Sequence, residues 1–414
     1  MRFARTVAML GLFFRVTMAH AADDRPVNIA DAAVTAGNHF AIDLYGQIRG
    51  AKGNICVSPF SVSSALEMAA AGAGGKTADQ MLAVLHWTDA PGDLPAAAAA
   101  LNATMTGPAQ TATPPDDESR GAQVSIANAL FGQQGFSYQA PFLNLLAQKY
   151  GAPLQNVDFA GQPGKACAAI NAWAAKQTHD RIKNAVPASA ITAQTRLVLV
   201  DAIYFKDAWE NEFRKPSTQD QPFFRDGKET VNVPLMQQRE SYDYMETDAL
   251  QAVSLPYRGE FSMVILLPRK RDGLVDLEQS LTADVLDGWL KQMSQQSVQI
   301  FLPKFRMEGE YELNGPLAKL GMTDAFNSQT ADFSGITSAT KLCIDRVIHK
   351  TFIAVDEAGT EAAAVTSMTM RATAVMAPRH IQPAVFRADH PFLFVLRHRS
   401  TGAILFMGRV TNPT

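Results

Sequence analysis

Residues Thr195 to Trp209, TRLVLVDAIYFKDAW, constrain the fold more than any other stretch of this chain. They are β-branched, aromatic and nearly unbroken in hydrophobicity, which reads as a central strand buried on both faces. A strand of that kind needs a large sheet around it and cover on each side, so a mixed α and β fold is expected. Of the 414 residues 47% are hydrophobic and 19% charged, which is enough apolar material for a large core. The net charge of -3 gives no global attraction to nucleic acid or to acidic membranes. No internal apolar run approaches the ~18 residues that span a bilayer. The cysteines, Cys56, Cys167 and Cys343, form neither a disulfide framework nor a metal-binding spacing; each lies in an apolar run and reads as a small buried hydrophobe.

At the N-terminus, Arg2 and Arg5 precede the apolar run Val7 to Phe14, and Ala19-His20-Ala21 resembles an A-x-A cleavage site. Residues 1–21 are therefore expected to be a signal peptide, although Arg15 interrupts the apolar run, and 22–414 to form one secreted or periplasmic domain.

Along the chain, residues 30–49 read as a helix. Ser58-Pro59 opens a second as cap and first position, and Gly72, Gly74 and Gly75 end it. A third starts at Thr77 and ends near Trp87. Residues 89–121 hold an alanine-rich helix and then a polar, proline-bearing loop, PAQTATPPDDESRG. Strands are expected at 124–131 and 153–159, and helices at 138–149 and 163–179. Strands dominate 213–268, with Asp226-Gly227 as a hairpin signal. Residues 274–293 are helical by spacing, and VQIFLPKFRMEGEYEL is two further strands. A short helix with its loop, LAKLGMTDAF, and the alternating run Leu342 to Val355 follow. The C-terminal strands 392–398 and 403–410 flank the turn Ser400-Thr401-Gly402.

The segment 356–377, DEAGTEAAAVTSMTMRATAVMA, behaves differently. Every second residue from Thr360 (Ala362, Ala364, Thr366, Met368, Met370, Ala372) is uncharged, so that face could be buried in a strand. The other face carries charge only at its ends, Glu361 and Arg371. Alanine and methionine nevertheless favour helix, and no turn signal follows until Pro378. Compatibility with both an exposed loop and a buried strand is what a switching element requires. Ser61, Asp201 and His349 suggest a nucleophile, orienter and base. No G-x-S-x-G surrounds any serine, and Ser61 lies in an apolar helix, so a hydrolase is not expected.

Gly359 to Ala364, GTEAAA, is preceded by HKTFIAVDEAG and followed by FRADHPFLFVLRHRSTGAILFMGRVTNP; upstream stands NICVSPFSVSSALEMAAAGAGGKTADQM. Together these resemble the hinge, reactive loop, C-terminal strands and second helix of an inhibitory serpin of bacterial type, with motifs in order from about residue 30 to 413. The resemblance implies an α+β fold of about three sheets, with a large central one, eight or nine helices, and an exposed reactive loop at about 357–385. It implies a suicide-substrate inhibitor of serine, and also cysteine, proteases rather than an enzyme. The protease attacks the loop and forms an acyl-enzyme; the freed loop then inserts into the central sheet and carries the protease with it. The partner is the protease, held covalently by a monomer, with no cofactor and no metal. Residues 93–119 contain no Lys or Arg, so no polyanion cofactor is expected.

By the same resemblance, the hinge is Gly359, Thr360, Glu361, Ala362, Ala363, Ala364, Val365 and Thr366. The reactive bond, fourteen residues after Gly359, is Thr373-Ala374, which suits elastase-like or subtilisin-like proteases. Arg371-Ala372 would address trypsin-like enzymes, and Met370, Val375 or Met376 broader ones, because the span to Phe386 exceeds the family's usual length. Ser58, Ser61, Asp201 and His349 match the family's shutter beneath the sheet, and Trp209 its breach at the top. Asp201 stands where the family usually has Asn. A buried carboxylate needs a partner, so His349 is expected to be partly protonated and sheet opening to depend on pH. The rival reading is a non-inhibitory binding or storage serpin; bulky, charged or proline residues at 362–366 would favour it, and the chain has none there.

Overall fold

A computed structural model describes residues 29–88, 93–106, 123–225, 229–361 and 382–414. The expected signal peptide, the loop 108–121 and the turn Asp226-Gly227 lie outside them. The chain opens with α1 (Ile29–Ile48), β1 (Ile55–Val57), α2 (Pro59–Ala70), α3 (Gly75–Val84) and α4 (Leu94–Thr106). Then come β2 (Gln123–Gln133), α5 (Ala140–Leu145), β3 (Gln155–Val157), α6 (Pro163–Gln177) and β4 (Leu197–Ala208). Four strands follow: β5 (Gln219–Arg225), β6 (Glu229–Glu246), β7 (Leu250–Pro256) and β8 (Phe261–Pro268). After α7 (Leu274–Ser280) and α8 (Ala283–Gln292) lie β9 (Ser294–Pro303), β10 (Phe305–Glu312) and α9 (Asn314–Leu320). The last strands are β11 (Arg346–Val355), β12 (Gly359–Thr360), β13 (Ala384–Arg387), β14 (Phe392–His398) and β15 (Ile404–Val410).

Two sheets result. One has nine strands, with β1-β15-β14-β8-β7-β6-β9-β13 in order and β5 beside β6; the other has six, β10-β11-β12-β4-β2-β3. Two of the expected three sheets are continuous because β6 runs for 18 residues and pairs β5, β9 and β7 in turn along its length.

β4 is covered on both faces, as its sequence requires. Val198, Val200 and Ala202 pack with Ile170 and Ala174 of α6 on the outer face. Ile203 and Phe205 pack inward with Leu255, Phe394 and Leu405 of the nine-stranded sheet. α2 starts at Pro59 because the Ser58 hydroxyl accepts the Ser61 N–H, freeing the first turn from an unpaired donor. Its small residues let it lie buried against β15, β2 and β4.

Several boundaries differ from expectation. The helical stretch 274–293 is broken at Leu281-Thr282, where the Thr282 hydroxyl caps α8 by accepting the Val285 N–H. Residues 342–345 precede β11 and are not strand. The reactive-loop span 357–385 overlaps strand at both ends, since Gly359–Thr360 is β12 and Ala384 begins β13.

Candidate functional site

The two central strands of the six-stranded sheet, β11 and β4, run parallel and pair directly only from Arg346↔Val198 to Thr351↔Ile203. Above that point both continue, to Val355 and Ala208, but they part. β12 occupies the opening: Gly359 and Thr360 pair with Ala208 and Asp207 on one side, and Thr360 with Val355 on the other. The chain therefore leaves β11, turns back and re-enters the sheet beside it.

The turn is built by Asp356, whose carboxylate accepts the N–H groups of Ala358 (2.9 Å) and Gly359 (3.3 Å). Position 359 must be glycine, because a Cβ there would lie 2.2 Å from the Asp207 carbonyl oxygen. Thr360 is fully buried, with its hydroxyl 2.5 Å from the Tyr257 phenol. Trp209 stacks on Tyr257 at 4.2 Å and donates its indole N–H to the Asp356 carbonyl at 2.9 Å. Glu357 anchors the outside of the turn through Lys304 (2.9 Å) and the Thr218 hydroxyl (2.8 Å). Burial pushes its carboxyl up, but these bonds outweigh it and hold the group below its ordinary range. β12 ends at Thr360, and the next residue, Glu361, donates its N–H to Ala354 O at 2.9 Å with a φ of +50°.

The lower end of the seam is polar. Asp201 and His349 face each other in register on β4 and β11, 1% and 0% exposed. His349 Nδ1 lies 2.9 Å from Asp201 Oδ2, close but not aligned as a hydrogen bond. His349 Nε2 accepts the Ser58 N–H at 2.9 Å. That bond needs a lone pair on Nε2, so it assigns the ring proton to Nδ1, facing Asp201. The Ser61 hydroxyl meets both Asp201 Oδ1 and Asn128 Oδ1, so one proton serves two oxygens. The Ser58 hydroxyl donates to Leu405 O at 2.6 Å, tying the cluster to β15.

Ser58, Ser61, Asp201 and His349 thus form one cluster at the base of the seam, with Trp209, Gly359, Thr360 and Glu361 at its top. Ala362, Ala363, Ala364, Val365, Thr366, Arg371, Ala372, Thr373 and Ala374 lie outside the described residues, as do Met370, Val375 and Met376. Sequence reasoning missed Tyr257, Asp207, Glu357 and Lys304. Asp207 follows Lys206 near the end of the β4 run; Tyr257 and Lys304 carry no local signal, since only the fold brings them to Gly359 and Thr360. Among the described residues no group of three His, Cys, Asp or Glu is arranged to hold a metal ion.

The family description Serpin (serine protease inhibitor) matches residues 35–413. An uncharacterized serpin-like protein of Thermococcus kodakarensis is 40% identical over 381 residues, covering 92% of this chain and 85% of its own length. The leukocyte elastase inhibitor of Equus caballus is 37% identical over 390 residues, covering 92% and 99%. Serpin48, a highly specific serpin of the insect Tenebrio molitor, matches with a TM-score of 0.79 at 31% identity, over 92% of this chain and 98% of its own. Human thyroxine-binding globulin complexed with thyroxine matches with a TM-score of 0.82 at 27% identity, over 94% and 100%.

Proposed function

This chain belongs to the serpin family, and from that premise we propose that it is a suicide-substrate inhibitor of serine proteases, with cysteine proteases as further targets. The observation that carries the reading is the position of Thr360, already hydrogen-bonded between two parallel strands at the point where they part. The register is set by those pairs. Six steps down from Thr360↔Asp207 is Thr366↔Asp201; six steps down from Thr360↔Val355 is Thr366↔His349. Continued insertion would carry Ala362 and Ala364 along the core face and bring Thr366 between the two groups that now close the seam. All three are small and uncharged, so none would bury a charge on that path.

Insertion would exchange one direct strand pairing for two, adding backbone hydrogen bonds on both sides of the new strand and burying apolar area. A protease that cuts the loop forms an acyl-enzyme on its new end. Insertion of that end would then move the protease the length of the sheet before water completes hydrolysis. Thr373-Ala374 is the proposed reactive bond, and a small Thr before it fits a shallow apolar specificity pocket. The relative named for elastase inhibition supports that class of target. Export through residues 1–21 belongs to the same proposal.

The test is to incubate the protein with an elastase-like and a trypsin-like serine protease, look for a covalent complex that survives denaturant, and sequence the released C-terminal peptide. The proposal expects a complex with the first enzyme and a peptide starting at Ala374. A peptide starting at Ala372 would move the bond to Arg371. Turnover of the loop by both enzymes with no complex would reject inhibition. The likeness to thyroxine-binding globulin favours a second reading, a non-inhibitory carrier of a small molecule; that reading expects cleavage without a complex and without stabilisation.

A further inference from the structure

We propose that Arg181, in the connector that follows α6, is a positioning residue that stops the hinge at Thr360 until the loop is cut. The proposal rests on the inhibitory reading above.

The connector is shaped to carry this side chain across the seam. Thr178 is fully buried, and its hydroxyl donates to Ala174 O (2.8 Å) and accepts the Ile182 N–H (3.0 Å). The Arg181 N–H closes the turn on Thr178 O at 2.9 Å. Between them His179 and Asp180 have φ of +49° and +62°. Glu361, across the contact, has φ +50°. The described residues contain four non-glycine residues with positive φ, and three of them are here; the other is His86. L-residues avoid that region because Cβ crowds the backbone, and such conformations persist where surrounding contacts hold them.

The Arg181 side chain reaches both lips of the opening and the hinge between them. Its guanidinium carbon is 6.0 Å from the centre of the Phe352 ring on β11. Its Nε is 3.0 Å from Glu361 Oε2. Tyr204 of β4 completes the group: burial and the Glu361 carboxylate push its phenol up while Arg181 opposes them, and its ring meets His179 edge-on at 5.7 Å. The Glu361 side chain is 7% exposed, and Oε2 has no aligned hydrogen-bond donor, so the Arg181 charge is what compensates it.

In this contact Glu361 holds a φ of +50°, which an extended strand does not have, so growth of β12 requires that geometry to be given up. Glu361 must exchange its left-handed φ for an extended one to continue β12. Its carboxylate also reaches down to Tyr204, the residue that pairs two positions further along the loop when Gly359↔Ala208 is continued. The contact therefore favours the left-handed geometry of the intact state over the extended one that insertion requires, and in that sense acts as a brake.

The test follows spontaneous conversion of the uncut protein to a heat-resistant, non-inhibiting form at fixed temperature, for wild type, Arg181→Ala and Arg181→Lys, at low and high salt. A buried carboxylate held by a half-exposed arginine predicts about tenfold faster conversion of Arg181→Ala. Salt should accelerate the wild type and leave Arg181→Ala unmoved, because its ionic contact is already gone. Arg181→Lys, which keeps the charge, should stay near the wild-type rate. After loop cleavage all three should melt alike. Conversion of Arg181→Ala at the wild-type rate, a wild-type salt response in that variant, or an equal loss of stability in the cut form would each overturn the brake. If the wild type gains no heat resistance on cutting, the inhibitory reading falls as well; if it gains it and the variants convert unchanged, only the brake falls.

Discussion

Asp201 and Asp207 lie six residues apart on β4 and so point to the same, inward face. Both are almost wholly buried, at 1% and 3% exposure, yet they are satisfied differently. Asp201 meets the Ser61 hydroxyl and the imidazole of His349. Asp207 accepts backbone N–H groups of Ala208 (2.9 Å) and Gly259 (3.1 Å). Burial outweighs those bonds and the more distant Arg258 and Arg399, and raises the Asp207 carboxyl from 3.8 to about 6. A folded pKa above the unfolded one means that the folded protein holds this proton more tightly. The resulting stability is therefore fully present below about pH 4 and is lost as pH rises through about 6. Asp207→Asn should remove the dependence: equal to wild type near pH 4, and more stable at pH 7 by on the order of 2 to 3 kcal/mol. Urea unfolding at the two pH values checks this, and a gap of the same size at both would contradict it. In the sequence, both residues were legible as charges inside an apolar run. What each one meets was not, because partners on β11, α2 and the β7–β8 turn are set by register and packing that no local pattern encodes.

Of the proposed hinge, Thr360 was the most legible residue, and for a simple reason. A period of two with no charge on one face is a property of the residues themselves, and Thr360 now heads that face inside the sheet. A substitution there should act through the element. Thr360→Arg would drive a charge against Tyr257, and an unpaired buried charge costs several kcal/mol. The yield of covalent complex should fall by more than about tenfold while the loop is still cut, as seen by denaturing electrophoresis with an elastase-like enzyme. Undiminished complex formation would remove Thr360 from the inserting face. Other features of the elements were hidden. Thr282 reads as one more residue in a helical repeat until its hydroxyl is seen capping α8. The contact of Glu361 with Arg181 joins segments far apart in the chain, and the left-handed residues that create it, His179 and Asp180, carry no glycine to announce the turn.

At the scale of the molecule, one chain holds a sheet whose two middle strands are paired below and parted above, with Gly359 and Thr360 seated in the opening. α6 covers the outer face of that sheet and α2 the inner, both against β2 and β4. The proposed inhibition requires that the sheet with the loop inside is the lower-energy state, reached once the loop is cut. The most direct measurement is the melting temperature before and after a single proteolytic cut between Gly359 and Ala374, with the fragments kept together. A rise of more than about 10 °C, equivalent to several kcal/mol for a domain of this size, is the expected result. An unchanged or lower melting temperature would contradict it, because a loop that gains nothing by entering the sheet cannot trap a protease.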